Sequence, residues 1–272
     1  MQGNTARQDW AKYTDAEHDR WRRMFECQQE ILEDRACTQF LNGLEELGVM
    51  ARQIPDFKKL NAVLFAKTGW KVVAVPGLVD DAIFFEHLAK REFPATCFIR
   101  REDQLEYIQE PDIFHDVYGH VPMLVDPIFA DYMQAYGKGG LRALDSGMLP
   151  HLARLYWYTV EFGLIQTSQG LRIYGSGIVS SKKESIYALG STRPRRMRFD
   201  LVRVMKTRYR IDNLQKIYFI IRSIEELMEI TLRDFGPIYA ELRETPEELK
   251  NLAPERIAPG DEQYIGQRWI SW

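Results

Sequence analysis

Three observations on the sequence predict one domain, mostly α with a small β component. Helix-start signals recur along the chain, strand-like apolar runs are few and short, and no repeat, low-complexity tract or Gly/Ser linker divides the 272 residues. The first helix signal is Thr14-Asp15-Ala16-Glu17, a capping box in which Thr14 can accept from the Glu17 amide while the Glu17 carboxylate reaches back. Trp21, Met24, Phe25, Gln28, Ile31 and Leu32 then recur at near-helical spacing, which predicts a helix with one buried face. Short strands are expected over 70–75, 97–99, 171–174 and 217–221, each bounded by Gly, Pro or charged residues. Further helix starts lie at Ser223-Ile224-Glu225-Glu226 and Thr245-Pro246-Glu247-Glu248, with Pro246 expected at the first helical position. Phe235-Gly236-Pro237 punctuates the chain between them. About the first ten residues and the stretch 254–260 are expected to be loosely held.

Composition narrows the function. Hydrophobic residues at 45% and charged residues at 28% exclude disorder over most of the chain. With 36 basic and 39 acidic residues the net charge is −3, which provides no overall field for nucleic acid or an acidic membrane. The run Arg193, Arg195, Arg196, Arg198, Arg203, Lys206, Arg208 and Arg210 is read as a solvated or acid-paired face, because no aromatic stacking platform interleaves it. Cys27, Cys37 and Cys97 are odd in number and lack Cys-x-x-Cys spacing, so they suggest neither a disulfide framework nor a thiolate zinc site. With no signal-like or membrane-spanning apolar run, the expected location is the cytoplasm.

The chemistry concentrates in Pro111-Asp112-Ile113-Phe114-His115-Asp116-Val117-Tyr118-Gly119-His120-Val121-Pro122. His115 and His120 are five positions apart, which on an α-helix places them about 140° apart. They cannot share a regular α-helical face. Gly119 and Pro122 predict a final distorted turn that swings His120 back toward His115, so that both imidazoles reach one metal ion. Glu161 is a lone charge in the apolar stretch Leu155-Tyr156-Trp157-Tyr158-Thr159-Val160-Glu161-Phe162-Gly163-Leu164, and such a carboxylate needs a proton, a hydrogen-bond partner or a cation. Two histidines and one carboxylate suit Fe(II) with open positions, and the same donor types serve catalytic zinc. The zinc hydrolase motif requires histidines one helical turn apart with a glutamate after the first. Here the spacing is longer and the acid is Asp116, which favours iron.

The stretches 111–124, 155–164 and Ile173-Tyr174-Gly175-Ser176-Gly177-Ile178-Val179-Ser180-Ser181 closely resemble the pterin-dependent aromatic amino acid hydroxylases, in their short bacterial form, and the similarity runs over about 69–221. The resemblance implies the catalytic-domain fold of that family. It also implies a monooxygenase that uses O2, Fe(II) and a tetrahydropterin to convert L-phenylalanine to L-tyrosine. One oxygen atom enters the ring and the other leaves on the pterin. By the same resemblance His115, His120 and Glu161 bind the iron, and Arg100 holds the substrate carboxylate with its planar fork. Pro111, Trp157 and Phe162 form the slot for the phenyl ring, with Ser180 supporting ligands and substrate. Gly77, Leu78, Val79 and Asp81 belong to a pterin loop, Phe84 stacks on the pterin ring, and Asp116 orients the pterin through water or braces His115.

Two departures from the animal members are visible: Asp80-Asp81 stand where they carry serines, and Asp116 where they carry glutamate. Ile211 aligns with a position that is acidic in tyrosine hydroxylases, which suits phenylalanine. Tyrosine or tryptophan hydroxylation, and a zinc hydrolase outside the family, are the alternatives. The chain is expected to be a single catalytic domain over 1–272 without a regulatory domain, and therefore without allosteric activation by substrate. Its oligomeric state is left open.

Overall fold

The computed structural model describes residues 6–48, 50–105 and 110–272, so residues 1–5 of the expected loose N-terminus lie outside the described range. Both halves of the Thr14 capping box form, and helix α1 (Asp15–Leu32) buries Trp21, Met24, Phe25, Gln28 and Leu32. Ahead of it, Gln8 donates to the Pro55 carbonyl and the Trp10 indole to that of Ile54, at 3.0 and 2.7 Å. Helices α2 (Thr38–Leu47) and α3 (Phe57–Thr68) follow. Strand β1 (Lys71–Val75), helix α4 (Asp81–Ala89) and strand β2 (Glu92–Thr96) then make a crossover unit, because β1 and β2 pair in parallel and cannot be joined by a tight turn.

The strand expected over 97–99 is not one. Its carbonyls are taken out of sheet pairing: that of Cys97 accepts from the Tyr13 hydroxyl, and that of Phe98 from the Ile113 amide at 2.9 Å. Those bonds aim the chain toward Arg100. After it, Phe114–His120 wind as a π-helix and Val121–Val125 as a 3-10 helix. Helix α5 (Pro127–Asp145) begins at Asp126, whose carboxylate accepts from the amides of Ile128 and Phe129. Helix α6 (Leu149–Tyr156) runs directly into a second π turn, Trp157–Glu161.

The second half of the chain builds a six-stranded sheet. Its strands are β3 (Leu164–Thr167), β4 (Gly170–Ile173), β5 (Arg195–Arg198), β6 (Ile217–Ile221), β7 (Glu262–Ile265) and β8 (Arg268–Ser271), in the order β4-β3-β6-β5-β7-β8. The pairs β3/β6 and β5/β6 are parallel and the others antiparallel. Between strands come α7 (Ser176–Val179), α8 (Lys182–Gly190) and α9 (Leu201–Lys206), and after β6 come α10 (Ile224–Thr231), α11 (Phe235–Glu244) and α12 (Glu247–Lys250). The 217–221 strand lies where the sequence places it, fully buried. Phe235-Gly236-Pro237 is the start of α11 under an Asp234 cap, and Pro246 occupies the cap position of α12, one residue before the helix.

The basic run pairs internally. Arg198 meets Glu262, Arg203 meets Asp261, Lys206 meets Glu241 and Arg210 meets Asp212. Most of these partners follow α10, so the arginines on β5 and α9 clasp the C-terminal hairpin. The stretch 254–260, expected to be loose, is tied by Arg195 to the Glu255 carbonyl and by Arg203 to that of Arg256. Among the described residues no helix is long and apolar enough to cross a membrane.

Aromatic packing fixes the first π segment. Trp21 of α1 meets Phe114 edge-on at 5.1 Å, while Phe25 and Phe40 meet Tyr118 at 5.4 and 5.8 Å. Phe114 and Tyr118 stack on each other at 4.6 Å. Burying such rings supplies roughly 1.5–3 kcal/mol each, enough to clamp one side of the π turn against α1 and α2. The other side, carrying His115, Asp116 and His120, faces inward.

Candidate metal centre

The i to i+5 hydrogen bonding of a π-helix brings residues five apart onto neighbouring positions of one face, which an α-helix cannot do. His115 and His120 satisfy that spacing, and their Nε2 atoms stand 3.4 Å apart. Glu161 ends the second π turn, closed by the Phe162 amide donating to the Trp157 carbonyl at 2.9 Å. Its Oε1 lies 3.3 Å from His120 Nε2 and its Oε2 3.6 Å from His115 Nε2. Among the described residues this is the group of three whose ligand atoms all lie within 4.8 Å of one another. With ligand atoms 3.3–3.6 Å apart, all three side chains could reach one ion placed between them.

Burial and neighbouring groups set the protonation of His115 and Glu161. The Ser180 hydroxyl donates to the Ser176 carbonyl at 2.7 Å, so it can only accept from His115 Nδ1, 3.0 Å away. His115 therefore carries its proton on Nδ1 and turns the Nε2 lone pair toward the other ligands. Burial pulls the His115 imidazole down to about 4, against the attraction of Glu161. Burial by itself raises the Glu161 carboxyl, but His120 and His115 outweigh it, and with the Ser176 hydroxyl donating at 2.8 Å the carboxyl is held at about 2. A neutral His115 imidazole and an ionised Glu161 carboxylate, with His120 beside them, offer the donor types that bind a divalent transition metal. The residues present fit an iron ion.

The glycine motif after β4 explains how the carboxylate is reached. A Cβ on Gly175 would stand 2.5 Å from the Glu161 carbonyl oxygen and from the Gly163 amide, and one on Gly177 2.8 Å from Phe162 Cζ. Only bare backbone can cross Glu161 so closely, and this crossing delivers Ser176 and Ser180 to the ligands.

Arg100 is buried, with Nε and Nη2 on the two oxygens of Asp112 at 2.9 and 2.7 Å. Asp112, 0% exposed, also accepts from the backbone amides of Arg100 at 2.9 Å and His115 at 3.1 Å. One carboxylate thus joins the arginine to the turn that carries His115. Burial opposes its charge, but Arg100 prevails and holds it below the usual carboxylate range. Asp116 accepts from the Thr96 amide and hydroxyl, each at 2.8 Å, at the end of β2. Burial pushes it up to about 7 despite those bonds.

Pro111 is half-buried, its carbonyl 3.4 Å from the Thr96 hydroxyl. Trp157 and Phe162 pack at 4.6 Å. Gly77 and Val79 are half-buried, Leu78 and Asp81 exposed, and Asp81 opens α4. Phe84 packs edge-on against Tyr156 at 5.7 Å, and Tyr156 lies face to face with His120 at 6.3 Å, which links α4 to His120. Ile211 is 64% exposed. Asp112, Ser176 and Tyr156 lie inside the three stretches that mark the site, but the sequence assigns none of them a role, and nothing local marks Thr96.

A family model described as biopterin-dependent aromatic amino acid hydroxylase matches residues 6–240. The phenylalanine-4-hydroxylase of Caulobacter vibrioides is 58% identical over 257 residues, covering 94% of this chain and 86% of its own length. That of Chromobacterium violaceum is 54% identical over 255 residues, 93% of this chain and 86% of its own. The iron- and phenylalanine-bound crystal structure of the Chromobacterium violaceum enzyme matches with a TM-score of 0.89 at 52% identity, covering 95% of this chain and 92% of that one. The same enzyme bound to cobalt matches at 0.92 and 53% identity, over 95% of this chain and 92% of its own.

Proposed function

Because the chain belongs to the biopterin-dependent aromatic amino acid hydroxylases, we propose that it converts L-phenylalanine to L-tyrosine with O2 and a tetrahydropterin, at a ferrous ion held by His115, His120 and Glu161. The observation that carries this reading is the convergence of two separate π turns on one set of ligand atoms within 4.8 Å, with Ser180 fixing the tautomer of His115. When bound, the iron and the pterin together supply the activation of oxygen. The chain's own side chains bind, orient and exclude water.

Arg100 takes the substrate carboxylate. Asp112 occupies its Nε and Nη2, which fixes the plane of the guanidinium and leaves the Nη1 side of the fork for the ligand. Pro111, Trp157 and Phe162 form the slot for the phenyl ring, and their apolar surfaces keep water from the reacting carbon. The pterin lies along Gly77, Leu78, Val79 and Asp81 with Phe84 against its ring, and Asp116 holds the adjoining turn through Thr96. The chain works as one catalytic domain in the cytoplasm, on small molecules and not on nucleic acid or membrane.

Purified protein with Fe(II), tetrahydrobiopterin and each aromatic amino acid in turn tests the reading. Tyrosine from phenylalanine is the expected main product. Faster hydroxylation of tryptophan or tyrosine overturns the substrate assignment, and turnover without pterin overturns the reaction.

A further inference from the structure

One hydrogen-bond chain outside the metal ligands converges on the wall of the phenyl slot. The Trp157 indole N–H donates to Gln215 Oε1 at 3.0 Å. Gln215 is 5% exposed although it closes an otherwise exposed loop. Its Nε2 donates to the carbonyls of Arg210 and Asn213 at 3.2 and 3.3 Å, so the side chain folds the loop around itself. Its backbone N–H donates to Glu184 Oε1 at 3.1 Å, and the Tyr218 hydroxyl donates to the same oxygen. The start of the loop is held by the Tyr158 hydroxyl on the Arg208 carbonyl at 2.7 Å. Tyr209 of this loop then stacks on Trp157 at 4.4 Å and 16°.

These contacts remove separate freedoms of the indole. Stacking on Tyr209 sets the plane of the ring, contact with Phe162 sets its tilt, and the single N–H, the one donor an indole has, sets rotation within the plane. Glu184 lies four residues after Ser180, so the helix that follows the His115 partner also anchors the loop. The slot wall and the metal ligand are thereby held in one frame before substrate arrives, which lowers the ordering cost of binding.

We infer that Gln215, anchored by Glu184, is a positioning residue that seats the Trp157 indole and so sets which aromatic side chain the slot accepts. The inference rests on the placement of Trp157 in the phenyl slot proposed above. Loss of the seat lets the indole rotate, loosens the fit around a single six-membered ring and gives room to a larger one.

The test uses Gln215→Leu, with Gln215→Asn as a milder variant that withdraws the acceptor by one methylene, and Trp157→Phe, alone and combined with Gln215→Leu. Steady-state kinetics are run on phenylalanine and tryptophan with the iron-loaded protein. Both Gln215 variants are expected to keep their iron and to raise KM for phenylalanine, by about fivefold for the leucine form, the value of one neutral hydrogen bond. The tryptophan-to-phenylalanine product ratio rises with it. In the Trp157→Phe background Gln215→Leu adds no further change, because the bond it removes is already absent. Wild-type KM and product ratio in both Gln215 variants overturn the inference, as do additive losses in the double variant. Wild-type behaviour of Trp157→Phe alone instead removes Trp157 from the slot, and the inference falls with that placement.

Discussion

Arg100 and Asp112 show how much a single buried pair is asked to do. With Asp112 fully buried and Arg100 nearly so, loss of one partner leaves the other charge uncompensated, at a cost of about 3–5 kcal/mol. Asp112→Asn is therefore expected to destabilise the protein by about that amount at neutral pH, read by urea unfolding. The pH dependence follows from the depressed carboxyl. An acid whose pKa is lower folded than unfolded stabilises above its unfolded value, about 3.9. That contribution disappears as pH falls through the folded value. Wild-type stability should thus drop below about pH 4 with a slope that Asp112→Asn lessens; parallel acid limbs would show that this carboxylate is not responsible. Arg100→Lys keeps the charge but loses the planar fork, and KM for phenylalanine should rise by about tenfold or more. Iron content should hold, because Asp112 contacts the His115 turn through a backbone amide that does not involve the arginine side chain. Unchanged KM would take Arg100 out of substrate binding.

The two π turns and the glycine crossing carry the site. In the sequence, the spacing of His115 and His120 disclosed only a contradiction, two ligand-type residues that an α-helix separates. Gly119 and Pro122 pointed to distortion at the end of the turn, and the π-helix resolves it along the whole of Phe114–His120. That choice of hydrogen-bond partner is made by Trp21, Phe25 and Phe40 from distant helices, and no local pattern encodes it. Strand β5 was illegible for another reason. Its residues read Arg-Arg-Met-Arg, and the sheet accommodates them because distant groups meet the guanidinium heads: the C-terminal segment meets Arg195 and Arg198, and the Ala188 and Ser191 carbonyls meet Arg196. The Thr14 box was legible because both partners lie within four residues. The glycine crossing gives the sharpest prediction for an element. Gly175→Ala forces a methyl group to within 2.5 Å of the Glu161 backbone, and such overpacking costs about 1–3 kcal/mol. A lower Tm together with weaker cobalt or iron binding is expected; full metal affinity in a destabilised variant would separate the crossing from the carboxylate.

Across the molecule, helices from the first third clamp one side of the π turn that carries His115 and His120, and the second half brings Glu161, Ser176, Ser180 and Trp157. The donor set was readable residue by residue, because two histidines and a lone glutamate in apolar surroundings are costly unless something binds them. The frame around it was not: Asp112 reaches back twelve residues to Arg100, Tyr156 spans Phe84 and His120, and Gln215 meets Trp157 and Glu184, contacts that no local pattern marks. The two histidines come from one half of the chain and the carboxylate from the other, so the most direct measurement is an anaerobic Fe(II) titration of metal-free protein, followed by turnover of phenylalanine with tetrahydrobiopterin and O2. Tyrosine formation should rise linearly to a break at one equivalent of iron per chain, and Glu161→Gln should show no such break. Tyrosine production by the metal-free protein, or an undiminished titration in Glu161→Gln, would contradict the assignment of His115, His120 and Glu161 as the iron ligands.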